Sequence, residues 1–242
     1  MNLFAWKGLD SCATCVGAGL KQVRDVADQV ELTYEVGGVS EKLVVDGLLV
    51  ATGRTPNTKE LVLENTSLNV GPRGSVPVNE KLETNVPGVW ALGDLNGGPQ
   101  FTYISLDDYR IVNNQLFGDQ TRTLTNRPIY PNTTFLHPAV ATIGLSAKAA
   151  KEQNLAVDVV SVLTKTAPKY KVIGDPRGIF QAIVGKKTKL ILGATIYDEE
   201  SYEIINLISL AMNQQIPATA LRDQIYSHPT MAETFNDLFA GI

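Results

Sequence analysis

From Gln29 to Val36 the chain alternates, with Val30, Leu32, Tyr34 and Val36 on one side and Gln29, Glu31, Thr33 and Glu35 on the other. A period of two belongs to a strand with one buried and one wet face. Gly37-Gly38 supplies a reverse turn and Glu41 to Val45 a returning strand, so residues 20–46 are expected to form a hairpin or three-stranded meander. The pattern then changes to a continuous apolar run, Gly47-Leu48-Leu49-Val50-Ala51, ending in Thr52-Gly53-Arg54-Thr55-Pro56-Asn57. Such a run predicts a buried parallel strand feeding a loop. Gly88-Val89-Trp90-Ala91-Leu92-Gly93-Asp94 repeats that arrangement and delivers a glycine and an aspartate to a strand's carboxyl end, where open α/β sheets bind ligands. There Asp94 either accepts hydrogen bonds from a sugar or polyol hydroxyl or serves as a turn or cap residue. A helical period follows from Tyr103 to Phe117, with Ile104, Asp108, Ile111, Val112, Gln115 and Leu116 on one stripe and Gly118 at its stop. The start of this helix points amides towards whatever Asp94 holds.

Residues 119–131 are polar, aperiodic and carry Pro128 and Pro131, which marks a domain boundary. Beyond it the pattern predicts strands at Thr133–Phe135 and Ala141–Gly144 and a Ser146-capped helix to Gln153. Three further strands, Val157–Leu163, Ile179–Val184 and Lys189–Ile196, are expected next, with Lys186-Lys187 at the turn between the last two. A helix from Tyr202 to Met212, opened by Glu199-Glu200-Ser201, bears Ile204, Leu207, Ile208 and Ala211 on one stripe, widened by Ile205 and Met212. An apolar surface that wide needs either a deep core or a subunit interface. Pro217 opens another helix through Leu221 and Ile225, and Thr230 caps the last one. Strands followed by helices make this second part α+β.

Chemistry concentrates in Ser227-His228-Pro229-Thr230-Met231-Ala232-Glu233, which holds one of only two histidines. A carboxylate five residues after the imidazole can orient the ring for proton transfer. Thr230-x-x-Glu233 is equally a capping box, and the two roles are compatible. Cys12 and Cys15 form a Cys-x-x-Cys, which is a redox dithiol, half of a zinc site or a pair of incidental thiols in a strand or turn. Zinc needs four ligands, and His137 and His228 lie far apart in sequence, so no metal site is expected. Gly17-Ala18-Gly19 is read as the approach to a strand.

A net charge of -4 with no basic stripe argues against non-specific nucleic-acid binding. No apolar run approaches membrane-span length, and Met1 to Lys7 lacks a secretory pattern, so the cytoplasm is the expected compartment.

Three stretches taken in order carry a family resemblance. Ala51 to Asn57, Thr84-Asn85-Val86-Pro87-Gly88 through Asp94, and His228-Pro229-Thr230 with Glu233 resemble the flavoprotein pyridine nucleotide-disulfide oxidoreductases, which include glutathione reductase, dihydrolipoamide dehydrogenase and mercuric reductase. Phe135-Leu136-His137-Pro138 before Thr142-Ile143-Gly144-Leu145-Ser146 is similar to the opening of the family's interface domain. Lys189 to Ala194 is similar to that domain's central strand. The carboxyl end, Leu221 to Thr230 with Phe235 to Phe239, resembles the bacterial reductases associated with reactive-chlorine resistance and copper reduction; mercuric reductases instead end in a cysteine pair, and no cysteine follows Cys15.

The resemblance implies an α/β fragment of the FAD- and NAD(P)-binding region followed by an α+β dimerisation domain. Its parts would be the tail of the NAD(P)H domain (1–50), the closing segment of the FAD domain (51–126) and the interface domain (127–242). It implies that Asp94, after Gly93, bonds the ribityl chain of FAD, and that Phe101-Thr102 offers backbone amides to the flavin region. Gly53 and Arg54 would lie at the junction of the FAD and nucleotide domains. His228, oriented by Glu233 and followed by a cis Pro229, would serve the other subunit's active site as acid/base towards a cysteine thiolate. A homodimer follows, with a small-molecule or metal-ion substrate for the complete enzyme. The family's Gly-x-Gly-x-x-Gly for FAD, its second glycine motif for NAD(P)H and its Cys-x4-Cys are not among these residues. The expectation is therefore a carboxyl-terminal portion with a partial FAD site, inactive alone. The alternative is a non-enzymatic dimerisation module.

Overall fold

The computed structural model describes residues 3–6, 12–15 and 17–242, which divide into two compact units, Met1–Leu124 and Thr125–Ile242. In the first, β1 (Leu3–Trp6) pairs antiparallel with β2 (Cys12–Cys15). The Cys-x-x-Cys thus lies on extended backbone rather than at a helix start. Gly17 turns with φ +76°, and Gly19 begins the next strand. The meander follows as β3 (Gly19–Val26), β4 (Gln29–Val36) and β5 (Val39–Val45), in that order and antiparallel. Its core is small: Ala18, Leu32 and Tyr34 are buried, with Val30, Val36, Leu43 and Val45 half-buried against them. The alternation read along β4 therefore selects the packed face.

The two apolar runs are not the strands expected of them. Residues 47–58 have no strand partner among the described residues, and Leu49 and Val50 are 90 % and 68 % exposed. A strand requires at least one hydrogen-bonded neighbour, and among the described residues none reaches this run. In Gly88–Asp94 the ladder shrinks to one antiparallel bridge between Glu83 and Trp90, although Leu82 and Ala91 beside it are buried. Gly93–Asn96 then winds into a 3-10 turn ahead of helix α1 (Thr102–Phe117), which stops at Gly118. Ile104, Asp107, Asp108, Ile111 and Gln115 form its buried stripe; Leu116, expected on that stripe, is exposed.

The second unit is a five-stranded antiparallel sheet, ordered β6-β7-β10-β9-β8. Its strands are β6 (Asn132–Thr134), β7 (Ala139–Gly144), β8 (Val157–Leu163), β9 (Ile179–Gly185) and β10 (Ile191–Asp198). Between β7 and β8 lies α2 (Ala147–Glu152), whose Ser146 cap accepts from the Ala149 amide at 3.1 Å, and between β8 and β9 lies α3 (Pro168–Ile173). Gly193 faces Gly144 across the β7–β10 pair, and a Cβ there would sit 2.0 Å from the Leu145 carbonyl oxygen, so only glycine allows the approach.

Helix α4 (Ser201–Asn213) packs on β7 and β10, while α6 (Thr234–Leu238) packs on β8 and β9. Phe180, Ile205, Ile208 and Phe235 are fully enclosed between them. Asn213 receives the Ile129 amide at 2.9 Å and returns a bond to its carbonyl at 2.8 Å, which ties the incoming chain to α4. Two expected helix ends move. Ser201 lies inside α4, and it is the Asp198 carboxylate that accepts the Glu200 amide at 2.8 Å. Helix α5 (Ala218–Asp223) ends before Ile225, which is 91 % exposed. Of α4's wide apolar surface, Ile204, Ile205, Ile208 and Ala211 enter the core, whereas Leu207 and Leu210 stay 40 % and 58 % exposed.

Candidate functional sites

In the first unit the Gly93-Asp94 turn is built from the inside of α1. Asp108, 2 % exposed on that helix, accepts the Gly93 amide at 2.8 Å and the Asn96 side-chain amide at 3.1 Å. Gly93 has φ +64°, and a Cβ there would lie 2.6 Å from the Ser105 hydroxyl, so both conformation and space demand glycine. This clamp presents Asp94 outward, 41 % exposed, with Arg54 Nη1 3.4 Å from its carboxylate. A carboxylate so presented can accept hydrogen bonds from the hydroxyls of a polyol.

Gly53, Arg54 and Phe101 line a cleft of about 660 Å³ together with Arg73, Ser75, Gly97 and Gly98. Two guanidinium groups and glycine backbone suit an anionic, hydroxyl-rich ligand. The Phe101 amide is already used, donating to the Pro99 carbonyl at 3.1 Å, so of the expected pair only Thr102, the first residue of α1, occupies a position without an intrahelical acceptor. Reading the sequence singled out neither Arg73 nor Ser75; the Gly71-Pro72-Arg73-Gly74-Ser75 turn was the available signal. Asp108 was visible only as an acid on an apolar stripe.

In the second unit His228 Nδ1 lies 2.8 Å from Glu233 Oε2. The other oxygen of Glu233 accepts the Thr230 amide at 3.3 Å. Half of the capping box is therefore present; in its other half, Thr230 Oγ1 donates to the Ser227 carbonyl at 2.7 Å, and α6 starts at Thr234 after Glu233. Thr230 does not cap the helix because its hydroxyl closes the turn around the cis His228-Pro229 peptide instead. The Glu233 side chain is 17 % exposed and the imidazole 65 %, so a sheltered carboxylate holds an accessible ring. With Nδ1 committed to Glu233, Nε2 is the nitrogen placed to exchange a proton.

A third cluster, His137, Asp175 and Glu199, brings its ligand atoms within 4.8 Å of one another. No metal site is expected from the sequence, whereas these three side chains could together offer ligands to an ion; one of them, Asp175, is already paired with Arg177. Its Nε and Nη2 reach the two Asp175 oxygens at 2.8 and 2.5 Å and hold that carboxyl down at about 2, while His137 Nδ1 faces Glu199 at 3.3 Å.

Comparison with known proteins agrees with this architecture. Residues 13–108 match the model of the pyridine nucleotide-disulphide oxidoreductases, and residues 130–239 match the dimerisation domain of the same family. The chain belongs to the pyridine nucleotide-disulphide oxidoreductase family. It is 41 % identical over 225 residues to the probable pyridine nucleotide-disulfide oxidoreductase RclA of Escherichia coli, covering 93 % of this chain and 50 % of that protein. It is 32 % identical to the mercuric reductase of Staphylococcus aureus, over 90 % of this chain and 40 % of the relative. Among solved structures, a Cu(II) complex of the HOCl-induced flavoprotein disulfide reductase RclA from Escherichia coli superposes with a TM-score of 0.85 at 38 % identity, covering 92 % of this chain and 49 % of that one. The chain thus spans about half the length of the relatives it matches. Among the described residues, no helix is long and apolar enough to cross a membrane.

Proposed function

We propose that this chain is the carboxyl-terminal portion of an FAD-dependent NAD(P)H:disulfide or metal-ion oxidoreductase, acting in the cytoplasm as a homodimer. Residues 1–50 are the tail of the NAD(P)H domain, 51–126 close the FAD domain and 127–242 form the interface domain. The observation that carries this reading is the 2.8 Å contact of Glu233 with His228 Nδ1 in a chain that belongs to a redox family. When bound, FAD supplies the two-electron chemistry between NAD(P)H and the acceptor.

The residues present fit part of that group. Asp94 is held outward for a ribityl hydroxyl, Gly53 and Arg54 border the cleft, and Thr102 opens α1 towards the ligand. Glu233 fixes the imidazole of His228 so that Nε2 takes and returns the proton of a thiol in the partner subunit's active site. The glycine motifs and cysteine pair that complete such a site are not among these 242 residues. This chain alone therefore oxidises no NADPH.

The experiment joins the chain to a polypeptide supplying the family's amino-terminal glycine and cysteine motifs and measures flavin content and NADPH turnover. His228→Ala is expected to lower turnover by about 10²–10⁴-fold with flavin retained, and Asp94→Ala to lower flavin content. Unchanged turnover in His228→Ala removes the acid/base assignment.

The absence of those motifs from the sequence favours a second reading, a dimerisation module without catalysis. A colourless dimer that takes up no added FAD supports the module; flavin uptake lost in Asp94→Ala supports the reductase.

A further inference from the structure

Three neighbouring strands of the second unit deliver ligating side chains to one end of its sheet. β7 and β9 flank β10 and run opposite to it, with Ala139 facing Asp198 and Ile179 facing Tyr197 across the two pairs. Glu199, the residue that leaves β10, therefore meets the approach to β7, which carries His137, and the approach to β9, which carries Asp175. An imidazole nitrogen and two carboxylates come within 4.8 Å of one another, the one such group among the described residues.

The contact between His137 and Glu199 differs in kind from that between His228 and Glu233. In the latter, Nδ1 and a carboxylate oxygen share a hydrogen bond at 2.8 Å; in the former, Nδ1 and Glu199 Oε2 stand 3.3 Å apart without one. Glu199 Oε2 is shielded from water and has no hydrogen-bond partner, a costly state for a charged oxygen. The spacing suits an ion held by both atoms, since two ligands about 2.0–2.1 Å from a tetrahedral Zn(II) lie roughly 3.3–3.4 Å from each other.

Asp175 is prepared from its other side. Arg177 donates to its two oxygens at 2.8 and 2.5 Å and keeps the carboxyl ionised, while a carboxylate's further lone pairs leave acceptor capacity for a metal. A hydrogen-bonded partner behind a ligating carboxylate aims it. The Asp175 and Glu199 side chains are 21 % and 39 % exposed and the imidazole 74 %, so the group opens to solvent on the imidazole side. Two carboxylates against one guanidinium leave a net negative charge that favours a cation.

We propose that His137, Asp175 and Glu199 form a binding site for a first-row divalent cation such as Zn(II), with imidazole Nδ1 and an oxygen of each carboxylate as ligands and water completing the shell. One nitrogen beside two oxygens suits Zn(II) better than Ca(II), which takes oxygen ligands alone. No step of the proposed proton transfer at His228 uses this site.

The test titrates the whole chain with Zn(II), a redox-silent probe, and repeats the titration in the Cys12→Ser/Cys15→Ser variant, which removes competing thiols. Calorimetry reads the binding, and the imidazole resonances of the two histidines report where the ion goes. One equivalent is expected to bind in both chains and to move the His137 resonances. His137→Gln and Glu199→Gln should each weaken binding by more than about tenfold, whereas His228→Ala should leave it within about twofold. The exposed His137 can be replaced without disturbing the core, and Asp175→Asn carries the second arm if Glu199→Gln does not fold. Failure of the unaltered chain to bind Zn(II), or binding that His137→Gln leaves unchanged, overturns the proposal. Binding abolished by the cysteine variant or by His228→Ala alone also overturns it, and places the ion at those residues instead.

Discussion

Phe180 and Phe235 of the carboxyl-terminal unit are wholly enclosed, whereas Leu49 and Phe117 of the amino-terminal unit are 90 % and 83 % exposed. These four side chains, alike in character, thus have opposite surroundings. The carboxyl-terminal sheet carries its own helices, so core residues such as Phe180, Ile205 and Phe235 find partners within 118 consecutive positions, Thr125 to Ile242, although others such as Ile225 stay exposed. The amino-terminal unit has instead a small meander core and a clamped turn at Gly93-Asp94, and leaves apolar side chains such as Leu49 and Phe117 uncovered. One half holds the larger enclosed core and an imidazole held by a carboxylate; the other presents an outward-facing turn at Asp94 that we propose meets a ligand.

The largest effect that separates the halves is cavity formation. Phe180→Ala should destabilise the carboxyl-terminal unit by about 3–5 kcal/mol in denaturant unfolding, from lost transfer energy and an unfilled hole. Leu49→Ala should stay within about 0.5 kcal/mol, because a side chain already in water has little to lose. Equal costs at the two positions would mean that the run at Leu49 is packed in solution, and the contrast would collapse.

How legible each half was follows from the same contrast. The alternation over Gln29–Val36 and the stripe Ile204, Ile208, Ala211 announced elements whose partners lie nearby in the chain, and both formed. Leu48-Leu49-Val50 has equally strong apolar character and formed no strand, because a run that could be buried on both faces carries no periodicity and depends wholly on neighbouring strands. At the sites, Asp94 and the His228–Glu233 pair stood out as residue types in recognisable spacing. Asp108 and Tyr170 did not, because a buried polar residue on an apolar stripe shows its value only once its partner, the Gly93 amide or Asp198, is in place.

A smaller effect probes the rigid turn. Gly93→Ala should cost about 1–2 kcal/mol through the left-handed backbone alone, with the 2.6 Å approach to Ser105 Oγ adding to it. The loss should appear in the amino-terminal unit and leave the unfolding of the carboxyl-terminal one unchanged. A destabilisation shared by both units would make them one cooperative body.

The next effect is a slope with pH. Burial raises the carboxyl of Asp198 above its ordinary range, so the folded chain holds that proton more tightly than the unfolded chain does. Stability from this group is present below the ordinary carboxylate range and is lost as pH rises from there through the raised value. Asp175 and Asp119, drawn down to about 2 by Arg177 and by Asn114 respectively, act in the opposite sense: their contributions hold above the ordinary range and fade as pH falls towards 2. Asp198→Asn should therefore remove the loss on the rising side in the carboxyl-terminal unit and leave the acid limb in place. An unchanged profile in that variant would show that Asp198 does not titrate with folding.

The smallest effect concerns the ion pair at the turn. Arg54 and Asp94 lie 3.4 Å apart, but their side chains are 71 % and 41 % exposed, and such pairs contribute about 0–1 kcal/mol because water screens them and two flexible chains must be ordered. Arg54→Ala should therefore shift the unfolding midpoint of the amino-terminal unit scarcely at all and weaken capture of an anionic, hydroxyl-rich ligand in the adjoining cleft. A stability loss above about 1 kcal/mol would instead mark the pair as part of the frame, and the contrast between the enclosed core of one half and the proposed ligand-facing turn of the other would have to be redrawn at this residue.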